Sequence, residues 1–234
     1  METAKPIVAS LAQSNEDTTR QQLMDAAEVL FVDQGIENVS LRAIGRHAGQ
    51  RNQSALQYHF ENRDGLLNAI LRRRMAQLEQ RRSLLVDELL KKDRRPSLHD
   101  CTAALVRTPF SLCAEQREFR DIFGLMGAHL LHLNDYVELL EKQNEEPSLH
   151  RIADVTLSHL ASLPQELVMQ RIEATQSSGF LAITQRARRR EAFTGTNAEL
   201  FEHNLVDQLS GMLAAPVSES SKAVLNKLRT ENSI

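Results

Sequence analysis

Between Ser40 and Phe60 the chain reads Ser-Leu-Arg-Ala-Ile-Gly-Arg-His-Ala-Gly-Gln-Arg-Asn-Gln-Ser-Ala-Leu-Gln-Tyr-His-Phe. No other stretch restricts the fold so tightly. Ser40 is placed to cap a helix, because its oxygen can accept a bond from a free amide one turn inside. Leu41, Ile44 and Ala48 then share one helical face. Gly49 stands where that helix must stop, since glycine enters the left-handed conformation without steric cost. Asn52 or Ser54 can cap a second helix that turns Ala55, Leu56 and Phe60 inward. Helix, turn, helix is the arrangement whose second helix lies in a DNA major groove.

The outward side of the second helix carries Arg51, Asn52, Gln53, Ser54, Gln57, Tyr58 and His59. Arginine matches the O6 and N7 atoms of guanine, and Asn and Gln match N6 and N7 of adenine. From Ser40 to Arg63 the cations are Arg42, Arg46, Arg51 and Arg63, against a single acid, Glu61. The whole chain has a formal net charge of −3. Positive charge is therefore concentrated where phosphate contact requires it. A solvated loop and helix face would also be polar, but depletion of acids with enrichment of amides favours DNA.

Around this stretch an all-α protein is expected, because Leu, Ala, Glu, Gln and Arg are abundant and only 9 Gly and 6 Pro interrupt 234 residues. Residues 1–18 read as a flexible arm, and 19–65 as a three-helix head. Helix one starts at Thr18 or Thr19 and carries Leu23, Ala26, Ala27, Leu30 and Phe31 inward. A long helix from Asn62 or Arg63 to about Lys91 joins the head to a larger helical domain, residues 66–216. Its free first amides, beside Arg63, suit a backbone phosphate. Its Arg72-Arg-Arg and Arg81-Arg clusters read as a solvated face. Further helices are expected over Ser97–Ala114, Glu118–Leu140, Ser148–Leu163, Gln165–Ala192 and Asn197–Ala214. Residues 217–234 form a tail with a short helix around Leu225. No run of about 20 apolar residues offers a membrane span, no secretory signal is visible, and a cytoplasmic protein is expected. Cys101 and Cys113 fall on one helix roughly 18 Å apart, which rules against a bridge between them.

Residues 19 to about 75 resemble the N-terminal domain of the tetracycline-repressor (TetR) family of transcription regulators. The resemblance rests on Gln22-Leu-Met-Asp-Ala-Ala-Glu-Val-Leu-Phe with Gly35, on Val39-Ser-Leu-Arg-Ala-Ile-Gly-Arg-His-Ala-Gly, and on Leu56-Gln-Tyr-His-Phe-Glu-Asn-Arg-Asp-Gly-Leu-Leu. Their order and spacing carry it. The stretch between Gly49 and Leu56 is one residue longer than the commonest family pattern, and Gly45 replaces the usual alanine. The resemblance implies base or phosphate contacts at Tyr58 and His59, with Ser40, Arg42 and Arg63 flanking the groove at phosphates. It also implies a homodimer through the last two long helices. Leu200-Phe-Glu-His-Asn-Leu-Val-Asp-Gln-Leu, followed by Leu213-Ala-Ala-Pro-Val-Ser, is similar to the dimer helix of some members. Leu167, Ile172, Leu181, Ile183, Leu200, Phe201, Leu205, Leu209, Met212 and Leu213 supply apolar surface for such a bundle, with an intramolecular core as the competing reading.

No catalytic signature is present: there is no phosphate loop, nucleophile elbow or dinucleotide fingerprint. His129 and His132 share a helix face, but no zinc pattern accompanies them, and no metal or cofactor is expected. Phe110, Cys113, Phe119, Phe123, Met126, His129 and Tyr136 combine apolar bulk with a few polar tips, as a ligand pocket does. They are equally what a helical core contains. The expected function is a homodimeric repressor that binds double-stranded operator DNA and is released by a small-molecule effector. A helical protein–protein adaptor and an all-helical enzyme are the alternatives.

Overall fold

The computed structural model describes backbone over residues 5–50, 54–130 and 147–231, with side chains over 17–50, 56–126 and 147–231. The described residues form helices and connecting turns, with no strand among them. The helices are α1 (Lys5–Gln34), α2 (Leu41–His47), α3 (Ser54–Phe60), α4 (Arg63–Leu90), α5 (Leu98–Glu115) and α6 (Arg117–Leu130). After the undescribed segment come α7 (Pro147–Leu160), α8 (Gln165–Arg188), α9 (Thr196–Ala214) and α10 (Glu219–Glu231).

The expected flexible arm is corrected. Helix α1 starts at Lys5, not at Thr18 or Thr19. Pro6 falls in the first turn, where its missing N–H has no partner to lose. Ala9, Leu11, Ala12 and Gln13 favour the helix, and no glycine interrupts the chain before Gly35.

Leu23, Met24, Ala27, Leu30 and Phe31 of α1 close over Ile44 of α2 and Leu56 and Phe60 of α3. The head is not sealed by these three helices alone. Leu66, Ala69, Ile70 and Leu71 of α4 belong to the same cluster, as do Ile122 and Met126 of α6. A second core joins Phe110 and Cys113 of α5, Phe119 and Phe123 of α6, Ile183 of α8 and Leu205, Val206 and Leu209 of α9. Ile183, Leu205, Leu209 and Leu213, expected at a partner's surface, are thus buried within the chain itself. Met169, Leu181 and Leu200 are the large apolar side chains these two helices expose.

The arginine clusters of α4 also depart from expectation. Arg72 is exposed, but Arg74 and Arg82 are buried. Arg74 forms an ion pair with Glu28 of α1, itself buried, and its guanidinium lies 5.8 Å from the centre of the Phe119 ring. Arg73 reaches Asp25 at 2.5 Å and Glu28 at 3.0 Å. Arg82 donates to Ser148 of α7 at 2.8 Å and pairs with Glu79 at 2.9 Å. A guanidinium tolerates burial when carboxylates neutralise it through paired hydrogen bonds. α4 is packed by α1, α5 and α7 on its other sides, and its solvated face is the stripe of Asp64, Asn68, Arg72, Ala76, Gln80, Leu84 and Glu88. The two cysteines are buried free thiols, and burial pushes Cys113 up to about 12.

Candidate nucleic-acid interface

The side chain of Ser40 accepts the Ala43 amide at 3.2 Å and so fixes the start of α2. The end is fixed as firmly. Gly49 takes φ 69, its N–H donates to the Arg46 carbonyl at 3.1 Å, and the Gln50 N–H donates to the Gly45 carbonyl at 2.9 Å. This is the two-bond cap that terminates a helix on a left-handed residue. The Gln50 side chain also reaches Gln22 of α1 at 3.2 Å.

Helix α3 turns directly into α4. Glu61 takes φ 62, and Asn62 caps α4 by accepting the Gly65 amide at 2.9 Å. A β-carbon on Gly65 would stand 2.0 Å from the Phe60 carbonyl oxygen, so only glycine permits this corner. Arg63 sits inside it. Its guanidinium donates to the carbonyls of Ile36 at 3.1 Å, Glu37 at 3.4 Å and Val39, and lies 3.8 Å from the Glu37 carboxylate. The residue expected at a phosphate is engaged in tying the α1–α2 loop to the start of α4.

Leu56 and Phe60 bury one side of α3, while Gln57 and Tyr58 stand on the other, Tyr58 at 71% exposure. His59 is half-buried, with its ring edge-on to Tyr58 at 5.1 Å between centroids. Ser40 and Arg42 are exposed at the start of α2. Arg51, Asn52 and Gln53 lie outside the described residues; Ser54 opens α3, and its side chain also lies outside them. The sequence reading missed the support behind this face: Arg63 on the loop carbonyls, Gln22 on Gln50, and Arg20, whose guanidinium stands 5.3 Å from the Phe60 ring centre.

The expected pocket residues divide between the two cores. Phe119 and Phe123 stack at 5.4 Å, Phe123 meets Phe180 of α8 at 5.0 Å, and Phe110 meets Phe193 at 5.0 Å. Met126 packs in the head cluster. The His129 side chain and all of Tyr136 lie outside the described residues. Among the described residues, no group of three His, Cys, Asp or Glu side chains is placed to hold a metal ion, and no helix is long and apolar enough to cross a membrane.

The described face meets its counterpart in comparison with known proteins. Residues 23–70 match the model of the bacterial regulatory proteins of the tetR family. These residues carry a TetR-family N-terminal domain. The match ends at Ile70, in the part of α4 that seals the head core. A tetR-family transcriptional regulator from Streptomyces coelicolor shares the fold at TM-score 0.52 and 19% identity, over 92% of this chain and 89% of that one. Two further solved structures are similar. One is a TetR-like regulator from Rhodococcus sp. RHA1 (TM-score 0.49, 17% identity, 83% and 93% of the two chains). The other is a probable transcriptional regulatory protein RHA5900 (0.48, 18%, 85% and 99%). No curated protein sequence matches the chain. The tetR-family helix-turn-helix domain at residues 23–70 supports a DNA-binding transcriptional regulator.

Proposed function

We propose that the protein is a homodimeric repressor of the cytoplasm, released from its operator by a small molecule, with no catalytic role. The observation that carries this reading is the division of α3. Leu56 and Phe60 anchor it in the head core, while Gln57 and Tyr58 face outward from a helix whose C-terminal end is fixed by the corner into α4. In this reading residues 19–65 are the reading head, residues 66–216 bind ligand and partner, and 217–234 follow as a tail. Gln57 reads a base edge, with Arg51, Asn52, Gln53 and Ser54 beside it and Tyr58 and His59 at base or phosphate. Ser40 and Arg42 touch phosphate, and Arg63 ties the α1–α2 loop to α4.

The dimer is placed on the exposed faces of α8 and α9, around Leu181 and Leu200, and the effector among the Phe119–Phe123 stack and the helices around it. Two heads then reach successive major grooves, and an effector releases DNA only by binding the non-reading arrangement more tightly. Binding-site selection on Gln57→Ala and Arg42→Ala tests the reading. Gln57→Ala is expected to relax one position of each half-site, costing about 1–3 kcal/mol. Arg42→Ala is expected to weaken all sequences alike and to reduce the salt slope by about one unit. Unchanged preference in Gln57→Ala would remove that residue from the base readers.

A further inference from the structure

A cleft of about 250 Å³ opens where the head meets the larger domain. Val32 of α1 supplies one wall, Gly124 and Leu125 of α6 the second, and Ala187 at the end of α8 the third. Arg188, Arg190 and Asp121 complete its lining. The walls are brought together by Gly124, where a β-carbon would lie 2.8 Å from the Arg188 backbone nitrogen.

The charges at the rim do not cancel. Asp121 already meets Arg117 at 3.4 Å and Arg120 at 3.3 Å. Glu191, next to Arg190 in sequence, is taken by Arg186 at 3.2 Å and Arg189 at 3.8 Å. Among the described residues, neither Arg188 nor Arg190 has a side-chain hydrogen bond or ion pair. Arg190 also holds φ 56, where L side chains are rarely found and glycine fits without steric cost. Backbone bonds fix it there: the Arg190 N–H donates to Ala187 at 3.0 Å, and the Glu191 N–H to Arg186 at 3.2 Å. These are the same two bonds that cap α2 at Gly49, so Arg190 is the left-handed residue that ends α8 and is held in place at the cleft.

We propose that this cleft binds a small carboxylic acid with an apolar body, and that its occupancy changes operator affinity. The carboxylate accepts hydrogen bonds from Arg188 and Arg190, whose planar guanidinium groups suit it. The apolar body lies on Val32, Leu125 and Ala187. The volume falls below the roughly 300–1,000 Å³ of pockets for drug-sized ligands, so the acid is small. Because Val32 belongs to the head and the other walls to the larger domain, an occupant favours one arrangement of the two. That coupling rests on the DNA-binding reading above; the site itself does not.

Fluorine NMR titration of the full chain with 4-fluorobenzoate tests the site, with neutral 4-fluorobenzamide as control. The acid is expected to bind about tenfold tighter than the amide, as charge-assisted hydrogen bonds imply. Arg188→Gln/Arg190→Gln is expected to abolish that preference while leaving operator affinity without acid unchanged. Saturating acid is expected to shift operator affinity of the unmodified chain about fivefold or more, and that of the double variant not at all. Equal binding of acid and amide, no saturable binding of the acid, or unchanged acid affinity in the double variant overturns the site. Reduced DNA binding by the double variant without acid assigns the arginines to DNA and overturns it as well. Acid binding that leaves operator affinity untouched overturns the coupling. A chain that binds no DNA at all refutes the regulator reading, and the NMR titration still decides the site.

Discussion

Removing Glu28 is expected to cost more than removing its main partner, Arg74. Both side chains are buried, at 6% and 8% exposure. Arg74 donates to both carboxylate oxygens of Glu28, and its third neighbour is the neutral Gln77 at 2.8 Å. Glu28→Gln therefore leaves Arg74 buried without a counter-charge. Such a loss costs about 3–5 kcal/mol, and the amide's remaining acceptor oxygen puts this variant near 3. Arg74→Met is milder, because Glu28 keeps Arg73 at 3.0 Å; about 1–2 kcal/mol is expected. The double variant Glu28→Leu/Arg74→Met replaces the pair with apolar bulk, and Arg73 retains Asp25 at 2.5 Å. It should fall within about 1–2 kcal/mol of the unmodified chain, since apolar replacement of a buried pair is often neutral. Urea denaturation followed by circular dichroism at neutral pH measures all three. In melting temperature, Glu28→Gln should lose roughly 6–12 °C, at about 2–4 °C per kcal/mol for a chain of this size. If Arg74→Met proved as damaging as Glu28→Gln, the account of who neutralises whom would be refuted.

Two glycines should respond in opposite directions. Gly65→Ala drives a β-carbon into the Phe60 carbonyl oxygen and should destabilise by about 1–3 kcal/mol. Gly45→Ala meets nothing nearer than Leu56 Cδ1 at 3.7 Å and should stabilise by about 0.5–1 kcal/mol; shifts of the same sign would sink the steric argument. Asp100 is held well below the ordinary carboxylate range, chiefly by Arg94, which donates to it at 2.6 and 2.8 Å. Its folded-state pKa lies below the unfolded value of about 3.9, so its stabilisation is present above about pH 4 and is lost as the pH falls through the folded pKa. The stability gap between the unmodified chain and Asp100→Asn should narrow below about pH 4, and a gap independent of pH contradicts the assignment. For the dimer, Leu200→Glu, at a side chain 68% exposed, should yield folded monomer in sedimentation, whereas Leu205→Glu should unfold the chain. A monomeric unmodified protein at micromolar concentration refutes the dimer.

Local signals were legible in the sequence because their causes are local. Ser40 and Gly49 end α2 through bonds that span three to five residues, and the period of Leu23, Ala27 and Phe31 sets the buried side of α1 without reference to the rest of the fold. The same periodicity could not say what covers an apolar stripe. Leu205 and Leu209 read equally well as dimer face or core, and packing of α9 against α5 and α8 decided for core. Arginines posed the same difficulty. Arg63, Arg74 and Arg82 look like solvent-facing or phosphate-binding cations in sequence, yet each is engaged by groups 24 to 66 residues away along the chain. A guanidinium's fate depends on which oxygens the fold brings within reach. The cleft holding Arg188 and Arg190 has the same origin: its walls come from three helices distant in sequence, and only their packing places two cations, unpaired among the described residues, beside an apolar hollow.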